Sequence, residues 1–108
     1  MIQLDADKLY HKLTEAGSDW ADKQAAFNVL DDTKNAVLSQ LMMKSDAGSV
    51  AAREIEAKAS QEFLDHVKNT QEAMKAALKA KVHYEAIKTW VELKRTEAAN
   101  ERTLARLG

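Results

Sequence analysis

The chain contains no cysteine and no proline, and glycine occurs only at positions 17, 48 and 108. The first absence excludes disulfides, thiolate metal sites and thiol nucleophiles, and the other two remove most turn formers. Aromatic residues make up only 6% of the 108 residues. A chain of this size has room for one domain with a modest core, which makes association an effective way to bury more apolar surface. Long hydrophobic runs are also missing, so no window reaches the length of a membrane span. Met1 to Tyr10 lacks the basic start and apolar core of a signal peptide, and the expectation is a cytoplasmic protein without a membrane partner.

What is present is helix-forming sequence. From Ser60 to Leu107 there is neither Gly nor Pro, and Ala, Lys and Glu carry apolar residues at helical spacing. This predicts one very long helix over 61–106. Such a helix cannot bury its apolar face alone and needs another helix beside it.

Asp5 or Asp7 can cap a first helix over 5–44. Leu13, Trp20, Phe27 and Leu41 repeat on one heptad position, and Leu9, Ala16, Leu30 and Val37 on the other. Lys23 and Lys34 interrupt this seam, in the manner of long side chains that snorkel from its edge. Gly17-Ser18-Asp19 predicts a break at 17–18, because Gly is poor in a helix interior and Ser18 can start a new helix. Ser45-Asp46-Ala47-Gly48-Ser49 is the one cluster of turn residues, and Ser49 can cap a short helix over 50–59 with Glu54 and Lys58 paired at i,i+4. Ser60 then opens the long helix, with a single helix continuing from Val50 as the alternative.

At about 1.5 Å per residue the 5–44 and 61–106 helices span about 60 and 69 Å. The predicted fold is therefore all-α, a single domain over 1–108 built as a long antiparallel helical hairpin with a short helix at the elbow. On a helical wheel, Ala80, Tyr84, Ile87, Val91 and Ala98 form one stripe, while Val82, Ala86 and Leu93 form another roughly 150° away. His83 and Trp90 lie between them. One neighbouring helix needs one stripe, so the expected second neighbour is another copy, and Val82, Ala86, Trp90 and Leu93 are the candidate interface of a homodimer. A folded-back N-terminal segment over 1–16 is the competing explanation.

Charge is uneven although the net value is −1. Residues 1–45 hold five bases and seven acids, 46–72 three and six, and 73–108 eight and four. The basic final segment either lies against the acidic first one or meets phosphate, and Lys88, Lys94, Arg95, Arg102 and Arg106 are the candidate contacts for nucleic acid or an acidic partner.

Residues with catalytic potential do not form a site. His11, His66 and His83 are not at i,i+3 or i,i+4 from one another, Glu62 and His66 lack the i,i+3 spacing of di-metal bundles, and Asp31-Asp32 diverge by about 100° on a helix. No phosphate loop or nucleophile elbow accompanies the hydroxyl groups. No catalytic residue, metal or cofactor is expected. Trp20 and Trp90 could stack on bases, but their places on the seam and in the apolar arc favour core or interface roles.

Ala57-Lys58-Ala59-Ser60-Gln61-Glu62-Phe63, Tyr84-Glu85-Ala86-Ile87-Lys88 and Arg95-Thr96-Glu97-Ala98-Ala99-Asn100-Glu101-Arg102 together resemble a diffuse group of small all-helical phage and prophage proteins. These come from early or recombination regions. The resemblance spans about residues 20–106 and implies context without catalytic residues. The expected function is that of a non-enzymatic helical protein that binds or sterically blocks a macromolecular partner. The alternative is an accessory of nucleic-acid recombination or processing that uses the basic C-terminal helix.

Overall fold

The computed structural model describes residues 5–108; residues 1–4, the start of the segment expected at 1–16, lie outside them. The described residues form four helices: α1 (Ala6–Asp32), α2 (Lys34–Met43), α3 (Val50–Lys58) and α4 (Gln61–Leu107). Asp5 caps α1, its Oδ1 accepting from the backbone N–H groups of Asp7 (3.0 Å) and Lys8 (3.2 Å). Such a cap satisfies donors that the helix cannot pair internally. Ser49 does the same for α3 by accepting from Ala52 N–H at 3.1 Å. At the head of α4, the Ser60 hydroxyl donates to the Ala57 carbonyl (2.6 Å) and accepts from Phe63 N–H (3.3 Å). One side chain thus closes α3 and opens α4.

Contacts divide the chain into two compact units, where the sequence predicts a single domain. One joins the residues up to Asp22 with Leu78–Gly108, and the other is Lys23–Ala77. In the first, Leu9 and Leu13 share a cleft with Val91 and Arg95, while Trp20 meets Tyr84. Later residues of α1 therefore meet earlier residues of α4, which makes the two stretches antiparallel. In the second unit α2 packs on α3. Ser45 donates to Glu56 Oε2 at 2.8 Å, and Arg53 Nε donates to the Ala47 carbonyl at 2.9 Å, tying the connecting turn to α3.

The α1 helix continues through Gly17 and Ser18, where the sequence predicts a break. Glycine costs about 1 kcal/mol in a helix interior relative to alanine, so something must hold it there. A Cβ on Gly17 would stand 3.3 Å from Cε1 of Tyr84. The missing side chain lets the tyrosine ring approach the α1 backbone, and that packing offsets the propensity cost.

The interruption falls instead at Thr33. Its hydroxyl donates to the carbonyls of Val29 (2.8 Å) and Leu30 (3.2 Å), a pair of bonds that Thr14 makes to Tyr10 and His11 without interrupting α1. The Leu30 carbonyl also meets His66 Nε2 from α4 at 2.9 Å. A carbonyl can only accept, so Nε2 carries the proton. His66→Ala is expected to lower the unfolding free energy by about 1 kcal/mol, the net worth of one such bond. Urea denaturation followed by circular dichroism measures it, and His66→Gln, which keeps a donor, should recover part of the loss.

Candidate interaction surface

Within α4 most of the less exposed positions follow a heptad, with Val67 and Ala76 beside it. Phe63, His66, Thr70, Ala73, Ala77, Ala80, Tyr84, Ile87, Val91, Lys94 and Ala98 are buried or half-buried, separated alternately by three and four residues. The stripe Ala80, Tyr84, Ile87, Val91 and Ala98 belongs to this inner seam. In α1, Leu9, Leu13, Ala16, Trp20, Lys23, Phe27 and Leu30 follow the same alternation. Lys23 is half-buried on it, whereas Lys34 is exposed.

The second stripe of α4 stands in solvent. Val82 is 65% exposed, Leu93 58%, Leu78 55% and Trp90 41%. Ala86 is exposed as well. No described part of the chain covers this outer face, including Asp5–Ala16, the described part of the expected folded-back segment, which is helical from Ala6 and buries Leu9 and Ala16. Between this face and α1 runs an open groove of about 830 Å³. Glu15, Asp19 and Asp22 border it from α1, opposite His83, Ala86 and Trp90 of α4.

Trp20 and Tyr84 stack at 5.4 Å between ring centroids with planes tilted by 41°. The Lys81 ammonium lies 6.0 Å from the Trp20 ring centre, at the outer limit of cation–π attraction. Trp20 Nε1 is buried without a hydrogen-bond partner. Both rings therefore act in packing, and Trp90 is the tryptophan that presents surface.

The five basic candidates divide between two sides of α4. Lys88, Arg95 and Arg102 recur every seven residues, as does Lys81, which the sequence reading missed. A seven-residue step rotates by only about 20° on a straight helix, so the four form one edge beside the inner seam. Seven-residue spacing among the lysines and arginines was the signal that could have found Lys81. All four are exposed. Arg106 is also exposed, one turn beyond Arg102 and nearer the outer face. Lys94 stands apart on the inner seam, where its ammonium donates to Glu97 at 3.2 Å. That bond holds it away from the edge formed by the others.

Histidines and carboxylates are scattered. His11 and His83 are exposed, as are Asp31 and Asp32. Among the described residues no group of three or more His, Asp or Glu is placed to hold a metal ion, and no described helix is long and apolar enough to cross a membrane. Comparison with protein-family models, curated proteins and solved structures finds no match.

Proposed function

We propose that the chain is a non-enzymatic helical interaction protein that binds, and thereby sterically blocks, a macromolecular partner through the outer face of α4. The observation that carries this reading is the exposure of Val82, Leu93 and Trp90 on one helix. Contiguous exposed apolar surface bordered by polar residues is what docking sites present. The acids of the groove fit such a site by setting polar margins around an apolar centre, the usual anatomy of an interface. The resemblance to small helical phage proteins agrees with action by occupancy.

Affinity capture from the native cell, run in parallel with the chain and with a Val82→Asp/Leu93→Asp variant, tests this reading. A protein retained by the first and lost by the second, at equal helicity, supports it. Identical recoveries would count against it.

A second reading is favoured by the aligned edge Lys81, Lys88, Arg95 and Arg102, which could follow a phosphate backbone in a nucleic-acid accessory protein. A mobility shift at low salt that weakens steeply as salt rises, and that Arg95→Glu/Arg102→Glu abolishes, is its expected signature. No shift at low salt would dispose of it.

A further inference from the structure

The outer face of α4 has an internal order that its exposure alone does not require. Positions 82, 86, 89, 93, 96, 100, 103 and 107 alternate by four and three residues and carry Val, Ala, Thr, Leu, Thr, Asn, Thr and Leu. None is charged, in a chain of which 31% is charged. The positions beside them include Glu85, Glu92, Glu97 and Arg106, so charge is excluded from the strip and carried on its margins. A solvated helix face has no reason to sort its residues in this way. A second heptad seam does.

Two of the three threonines fit the same purpose. The Thr96 hydroxyl donates to the Glu92 carbonyl and the Thr103 hydroxyl to the Ala99 carbonyl, each at 3.0 Å. With the hydroxyls satisfied within the helix, covering these residues with another helix leaves no orphaned donor and buries their methyl groups.

Resting on the reading that the outer face is the contact surface, we infer that in the free protein its occupant is a second copy of this chain, which a partner must displace, with the two α4 helices antiparallel. Charge decides the direction. A parallel, in-register pair would set Glu92 beside the partner's Glu97 at both margins, and like charges there are repulsive. Running the helices in opposite directions with Val82 opposite the partner's Leu107 covers the strip from end to end. In that register Glu85 comes beside the partner's Arg106 at both ends. Asn100 then faces the partner's Thr89, a polar layer of the kind that fixes register at some cost in stability.

Sedimentation of the full chain at tens to hundreds of micromolar should give a dimer, and Val82→Asp/Leu93→Asp should give a monomer of unchanged helicity. Arg106→Glu should weaken the dimer several-fold, and adding Glu85→Arg should restore it. The absence of native cysteine allows a direct test of direction. In the antiparallel pair, Val82 and the partner's Val82 are about 38 Å apart, so Val82→Cys alone should form no disulfide. An oxidised mixture of Val82→Cys and Leu107→Cys chains should cross-link. A wild-type monomer at the highest concentration, or a Val82→Cys chain that cross-links to itself, would overturn the inference. A monomer that still captures a cellular protein through Val82 and Leu93 would overturn the dimer while leaving the proposed function standing.

Discussion

Ala80→Glu is expected to remove most of the stability of the unit that joins the residues up to Asp22 with Leu78–Gly108. Ala80 is 6% exposed on the inner seam of α4, and its methyl group leaves no room for a longer side chain. Overpacking of this kind costs about 1–3 kcal/mol, and burial of an unpaired carboxylate adds several more. Small domains hold only about 5–15 kcal/mol in total, so the sum approaches the whole. Thermal unfolding followed by circular dichroism should show a broad, early transition. Ala99→Glu on the same helix is the control. Ala99 is exposed, and the same substitution there should change stability by no more than about 0.5 kcal/mol. If the two variants melted alike, the inner seam would not be a packed interface.

The second large effect is expected at Trp20. Its half-buried ring carries the contact with Tyr84. Truncating a fully buried tryptophan to alanine costs about 3–5 kcal/mol, and the partial exposure here brings the expectation for Trp20→Ala to about 2–3 kcal/mol by the same rule. Trp20→Phe separates the aromatic contact from the indole N–H. It keeps an aromatic ring against Tyr84 and removes an N–H that is buried without a partner. Losing an unsatisfied donor costs nothing and can be favourable, so the change should stay below about 1 kcal/mol. Urea titrations of both variants measure the difference, with Trp90 as the remaining fluorophore. A Phe variant as unstable as the Ala variant would mean that the full width of the indole, and not an aromatic ring as such, holds the site.

Much of the secondary structure could be read directly from the chain because its signals are local. Ser49 and Ser60 open α3 and α4 through hydroxyl groups that reach donors three residues ahead. The long helix follows from an uninterrupted run of good helix formers, and its inner stripe from apolar spacing alone. Gly17 was misleading for a reason that lies elsewhere in the chain. Its local propensity favours a break, but Tyr84, far away in sequence, fills the space where a side chain would be. Thr33 was overlooked because a threonine within a helical pattern gives only a weak signal, and its interruption is visible only once the Leu30 carbonyl meets His66.

The candidate surface was legible in part. Val82, Ala86 and Leu93 were identifiable as a second stripe from their angular separation from Ala80 and Tyr84. Their exposure was not, because the wheel counts faces and cannot say which of them has a neighbour. The basic candidates show the same limit. Composition groups Lys94 with Arg95, but adjacent residues diverge by about 100°, and the bond to Glu97 holds Lys94 on the other side of the helix.

By itself the sequence determined that this protein is helical, that a turn precedes α3 and which residues share a face, because caps, propensities and periodicity act over a few residues. Only the tertiary structure decided that α1 passes through Gly17, that Trp20 is packed while Trp90 is presented, and that the inner stripe is covered while the outer one is open. Those outcomes depend on which helix lies against which. Contacts between residues as distant as Gly17 and Tyr84 set that arrangement, and no local preference encodes it.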